Sequence, residues 1–163
     1  MPTVHQTPEV LTVSEAPDAL DAQVIALPYF DDDTLDELAT LPEGARECIR
    51  EARARGELTS RRYELFTVPL AAPWRSGRLF LVGAGPRPSC DVETMRRLAV
   101  VAGLAARQRK LTDVAFLSRA DGTPASGADT RAVAEGFVYA NYDGRARKTD
   151  DEPRCFVQRV RVR

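Results

Sequence analysis

Several residue types on which enzymes depend are nearly missing from this 163-residue chain. It has one histidine, His5, and its three cysteines, Cys48, Cys90 and Cys155, are widely spaced with no Cys-x-x-Cys pair. A lone histidine near the start leaves Ser/His/Asp and Cys/His catalysis without a base unless that segment folds over a site. An odd, scattered set of cysteines forms no disulfide framework and suits a reducing cytoplasm. No apolar run approaches the roughly 20 residues of a membrane span. The first residues, Met1-Pro-Thr-Val-His-Gln-Thr-Pro8, lack the basic start and apolar core of a secretory signal. These absences lead us to expect a soluble cytoplasmic protein.

What is present suits one domain, with residues 1–8 expected as a flexible tail and 9–163 as the folded unit. Charge is unevenly distributed. Residues 1–60 carry 4 Arg/Lys and 13 Asp/Glu, a balance of −9, whereas residues 61–163 carry 19 and 11, a balance of +8. Such asymmetry can mark a nucleic-acid surface, but within one compact domain much of the field cancels.

Hydrophobic patterning alternates between strand and helix. Glu9–Ser14 and the apolar run Ala22–Pro28 read as buried strands, with Pro28 as a boundary. Asp31, Asp32 and Asp33 precede a helical stripe of Leu35, Leu38, Ala39 and Leu41, where they suit a helix start. A second helix is expected from Gly44 to Arg55, closed by Gly56. Arg62–Pro69 alternates like a strand and turns through Pro73, Trp74 and Gly77 into a strand from Arg78. A long helix from Asp91 to Arg109 carries the stripe Val92, Met95, Leu98, Ala99, Ala102 and Ala106. Arg96, Arg97, Arg107, Arg109 and Lys110 read as its solvated face.

Asp113–Ser118 is strand-like, Asp121–Gly127 is a loop, and a last helix follows from Arg131. Gly136 inside that helix costs about 1 kcal/mol against Ala, which points to a neighbouring backbone close by. Cys155–Arg163 ends in a strand with Arg159, Arg161 and Arg163 on one face and Val160 and Val162 on the other. The repeated alternation predicts an α/β domain, a mixed β-sheet flanked by helices.

Two segments carry a more specific likeness. Arg78-Leu-Phe-Leu-Val-Gly-Ala-Gly-Pro86 precedes the long helix, and Arg131-Ala-Val-Ala-Glu-Gly-Phe-Val-Tyr-Ala-Asn-Tyr-Asp143 runs into Gly144-Arg-Ala-Arg-Lys-Thr149. Their order and wording resemble the N-terminal domain of the leucyl aminopeptidase family. The resemblance implies a macro-domain-like, three-layer fold. It also implies no catalysis by this chain alone, because the family's two-metal site lies in a C-terminal domain whose ligand motifs do not occur here. By the same likeness Lys148 matches the end of the N-domain motif and is not a metal ligand. No cofactor is expected.

Two surfaces remain as candidates. The turn Gly83, Ala84 and Gly85 could cradle a phosphate with backbone N–H groups, although Pro86 and Pro88 remove donors. The final strand, with Arg159, Arg161 and Arg163, is expected to be an exposed edge and a contact surface. The leading expectation is a noncatalytic regulatory or assembly module. It would act through protein contacts, docking on a leucyl aminopeptidase catalytic subunit or on a second copy. The alternatives are a nucleotide-like ligand at the glycine turn and DNA on a basic stripe from Arg145 to Arg163 interrupted by Asp143, Asp150, Asp151 and Glu152.

Overall fold

The computed structural model describes residues 5–34, 41–119, 125–144 and 154–163. Its strands are β1 (Glu9–Thr12), β2 (Val24–Phe30), β3 (Leu65–Pro69), β4 (Arg78–Gly85), β5 (Asp113–Phe116) and β6 (Arg159–Val162). The α-helices among the described residues are α1 (Glu43–Ala54), α2 (Val92–Gln108) and α3 (Gly127–Ala140). All six strands join one sheet in the order β1-β6-β5-β2-β4-β3. Every neighbouring pair is parallel except the hairpin of β3 and β4.

Apolar residues divide between the two faces of this sheet. Val24, Ala26, Phe80, Val82, Val114, Phe116, Val160 and Val162 pack on one side against the inner stripes of α2 and α3. Ile25, Leu27, Leu79, Leu81, Ala115 and Leu117 pack on the other side with Ala45, Ile49 and Ala52 of α1. The result is the three-layer α/β arrangement anticipated from the alternation of elements. β2 lies at its centre and is buried throughout.

Pro28 does not end that strand. β5 pairs only with Val24–Ala26, and Leu117 N–H donates to Ala26 C=O at 2.9 Å. By the alternation of a parallel ladder, the N–H that Pro28 lacks would point past this last bond. β1 is another departure: it lies at the sheet edge and is largely exposed, whereas its β-branched composition suggested burial. The helical stripe from Leu35 to Ala39 lies outside the described residues.

α2 and α3 pack at unusually close range. A side-chain carbon on Gly136 would sit 2.6 Å from Ala99 Cβ and 3.2 Å from Val100 N, and closer still to the Arg96 carbonyl oxygen. Gly103 makes the reciprocal approach, since a carbon there would lie 3.1 Å from Phe137 Cδ1. Gly136→Ala therefore sets a helix-propensity gain of about 1 kcal/mol against a clash with backbone, which cannot rotate away. We expect the clash to prevail, with a net loss of about 2 kcal/mol in urea unfolding at unchanged m-value. A neutral or stabilising result would show that the helices separate freely.

Candidate functional site

In a parallel α/β sheet the carboxyl ends of the central strands are where ligands usually bind. Here the ends of β2 and β4 hold the glycine turn and the acidic cluster. Gly83, Ala84 and Gly85 are all buried, as the last residues of β4. The amides of both glycines are taken by residues 60–64, which cross the strand end. Gly83 N–H donates to Glu64 C=O and Gly85 N–H to Ser60 C=O, both at 2.8 Å, while Tyr63 N–H donates to Gly83 C=O at 2.8 Å. Gly85 adopts φ +71°, which only glycine takes without strain, and Tyr63 itself has φ +70°.

A side chain at Gly83 would overlap the Arg61 carbonyl, its first carbon 2.9 Å from the Arg61 carbonyl carbon. The glycines thus seat a neighbouring stretch of the same chain. As a candidate phosphate cradle the turn is short of two donors, the Gly83 and Gly85 amides, which that contact engages.

Polar side chains tie this crossing segment down. Ser60 hydroxyl donates to Asp31, and Arg62 Nη2 donates to Ser89 O and Oγ at 3.0 and 2.8 Å. Arg87 bridges Asp32 and the buried Asp33, and its guanidinium lies 4.4 Å from the centroid of the Phe30 ring. Asp33 also accepts from Phe30 N–H at 2.8 Å. Each member of the acidic cluster thus takes a partner from elsewhere in the fold.

At the start of α2, Asp91 accepts from Thr94 N–H and Thr94 hydroxyl, and these bonds, the backbone one first, hold its carboxyl below the usual range. Burial, followed by the charges of Asp129 and Asp91, pushes the Cys90 thiol up, away from the reactive thiolate form. Among the described residues no group of three or more His, Cys, Asp or Glu is placed to hold a metal ion. Nor is any described helix long and apolar enough to cross a membrane.

The final strand corrects the other expectation. β6 is not an edge: it pairs with β1 on one side and β5 on the other. Arg159, Arg161 and Arg163 do share a face, but each is engaged. Arg159 Nε donates to Glu9 at 3.0 Å and its Nη1 lies 3.6 Å from Asp113. Arg161 pairs with Asp113, and Arg163 donates to Glu15 C=O. The outcome is a charge-alternating ladder across β1, β6 and β5 in place of a bare basic stripe. Arg145, Arg147 and Lys148 lie outside the described residues.

One polar centre was missed entirely. Asn141, fully buried, donates through Nδ2 to Gln6 O (2.8 Å) and Val157 O (2.7 Å), and its Oδ1 accepts from Val157 N–H (3.0 Å). Arg107 donates to the carbonyls of Ala140, Tyr142 and Cys155, pairs with the buried Asp143, and lies 5.1 Å from the Phe156 ring centroid. The side chain of this arginine is only 11% exposed, where helical spacing had placed it on a solvated face. The network joins α2, α3, the approach to β6 and the segment before β1. His5 bridges to Tyr142 there, so residues expected as tail make contacts from His5 onward.

The order of strands and the layering define a macro-domain-like α/β fold. The macrodomain of Mycobacterium tuberculosis DarG superposes with a TM-score of 0.60 at 11% identity, covering 96% of this chain and 99% of that one. Within this class the chain belongs to the cytosol aminopeptidase family, whose N-terminal domain matches residues 26–151. A mutant of tomato leucine aminopeptidase superposes with a TM-score of 0.66 at 16% identity, covering 95% of this chain and 32% of that one. The bottromycin maturation enzyme BotP, in complex with Mn, gives 0.56 at 20% identity, covering 87% and 27%. The chain thus spans about a third or less of the length of these two proteins, and at such identities the likeness speaks for the fold. Comparison with curated proteins gives no match. The family match is to the N-terminal domain, without the catalytic domain.

Proposed function

We propose that this domain is a regulatory or assembly module that works through protein contacts, docking beside a catalytic domain of its own family. The observation that supports it best is the α1-side face of β1, β6 and β5. Parallel sheets are ordinarily covered on both faces, yet no residue of β1 or β6 belongs to the apolar cluster under α1. That face instead presents Glu9, Leu11, Arg159, Arg161 and Asp113, with Leu11 39% exposed. A mixed-charge ladder beside an exposed leucine has the composition of an interface rim next to a small apolar contact.

The nucleotide-like alternative is disfavoured by the engaged amides of Gly83 and Gly85. DNA binding is disfavoured by the carboxylates that neutralise Arg159 and Arg161. The test is light-scattering chromatography of the chain alone and mixed with a leucyl aminopeptidase from the same organism. A co-eluting complex is expected, weakened about tenfold or more by Arg159→Glu, which places like charge beside Glu9 and Asp113 and disrupts the ladder. Failure to co-elute at tens of micromolar, or a complex indifferent to that substitution, would count against this face.

A further inference from the structure

The sheet has two edges, and they are not alike. β3 ends in Pro69, a residue suited to an edge because it offers no N–H. β1, Glu9-Val-Leu-Thr12, carries no proline, lysine or bulge. Its inward bonds are defined by Glu9 N–H to Gln158 C=O (2.8 Å) and Val13 N–H to Val162 C=O (3.0 Å). By the alternation of a parallel ladder, Glu9, Leu11 and Val13 face β6, so the N–H and C=O groups of Val10 and Thr12 point outward. Among the described residues those outward groups have no strand partner, because β1 pairs there with β6 alone.

We propose that this edge pairs with the β1 edge of a second copy of the chain, antiparallel about a two-fold axis through Leu11. Self-complementarity is the argument. With Leu11 opposite Leu11 of the second copy in a non-hydrogen-bonded pair, Val10 and Thr12 of each copy meet Thr12 and Val10 of the other and exchange both backbone bonds. The four outward donors and acceptors on each strand are satisfied at once. The exposed Leu11 side chains cover one another on one face, and the β-branched Val10 and Thr12 meet across the other. Glu9 falls opposite Val13, so no like charges oppose, and each Glu9 keeps its own Arg159.

The neighbouring registers are poorer. An axis between two residues sets an outward-bonding residue opposite an inward-bonding one. An axis through Val10 sets Thr12 opposite Pro8, which has no N–H to give, and an axis through Thr12 sets Glu9 opposite Glu15. Isologous pairing through one edge also closes at a dimer and does not propagate.

A four-residue strand makes a small contact, below the roughly 1,200 Å² of stable interfaces, so association should be weak. The full chain is expected to be monomeric at about 10 µM and to gain mass toward the dimer over several hundred µM by light scattering. Thr12→Pro removes an outward N–H and no bond to β6, so it should abolish the mass increase while leaving the melting temperature within a few degrees. Leu11→Cys should cross-link to itself under mild oxidation, because non-hydrogen-bonded pairs hold their Cα atoms about 4.5 Å apart, within disulfide range. Val10→Cys, facing Thr12 of the second copy, should cross-link at least tenfold more slowly on the same background of native thiols.

A constant monomer mass up to about 500 µM would overturn the proposal. So would equal cross-linking of the two cysteine variants, or a Thr12→Pro variant that folds and still dimerises. Docking on a peptidase is read by the separate mixing experiment and stands or falls independently.

Discussion

Gly83→Ala should lower the thermal midpoint by on the order of 10 °C. Overpacking of a close-packed site costs roughly 1–3 kcal/mol and sometimes more, and each kcal/mol shifts a domain of this size by about 2–4 °C. The upper part of that range applies because the added methyl meets the Arg61 backbone rather than a flexible side chain end. Residues 60–64 would have to lift from the end of β4, giving up the bonds from Gly83 and Gly85 N–H. Hydrogen exchange locates the damage: the amides of Gly83 and Gly85 should lose protection while those of Leu79–Leu81 keep theirs. A variant as stable as the parent would mean that the segment rests only loosely on the glycines.

Asn141→Leu should cost about 3–5 kcal/mol, since it strands three backbone groups at once, Gln6 C=O, Val157 C=O and Val157 N–H. A buried polar group left unpaired costs roughly 1–3 kcal/mol, and leucine is close in size, so lost packing contributes little. The loss should be accompanied by weakened exchange protection in β6 and β1, because Asn141 holds both approaches to that side of the sheet. Denaturant unfolding measures the first effect and exchange the second. A loss under about 1 kcal/mol would show that water replaces the amide.

Much of this architecture was legible because it depends on local period. β2 and β4 are continuous apolar runs, α2 and α3 carry stripes near 3.6 residues, and Val160 and Val162 alternate with arginines. Gly136 was legible for another reason: a residue that weakens its own helix implies a neighbour that needs the space, and α2 supplies one. The family match to residues 26–151 agrees with the segments whose wording first suggested it.

What escaped depends on which strands become neighbours, and no local pattern carries that. β6 has the composition of an edge strand and lies inside the sheet, because β1 comes back to cover it. Arg107 and Arg109 share one helix end. Arg107 alone reaches the carbonyls that gather where α3, Asn141 and Cys155 meet. The turn Gly83–Gly85 fits either a phosphate or a backbone in sequence terms. Only the path of residues 60–64, with Tyr63 at positive φ, decides between them.

The pairing of β1 with β6 also governs the order of assembly. Glu9 meets Arg159 across 150 positions of sequence, so in a chain emerging amino-end first β1 waits through the synthesis of every other strand. Closing so long a loop is entropically late. The central strands and their helices can collapse beforehand, leaving β1 as the final clasp. Until it closes, β6 is the open margin of a nearly finished sheet, a vacancy that a neighbouring nascent chain's β1 can fill as well as its own.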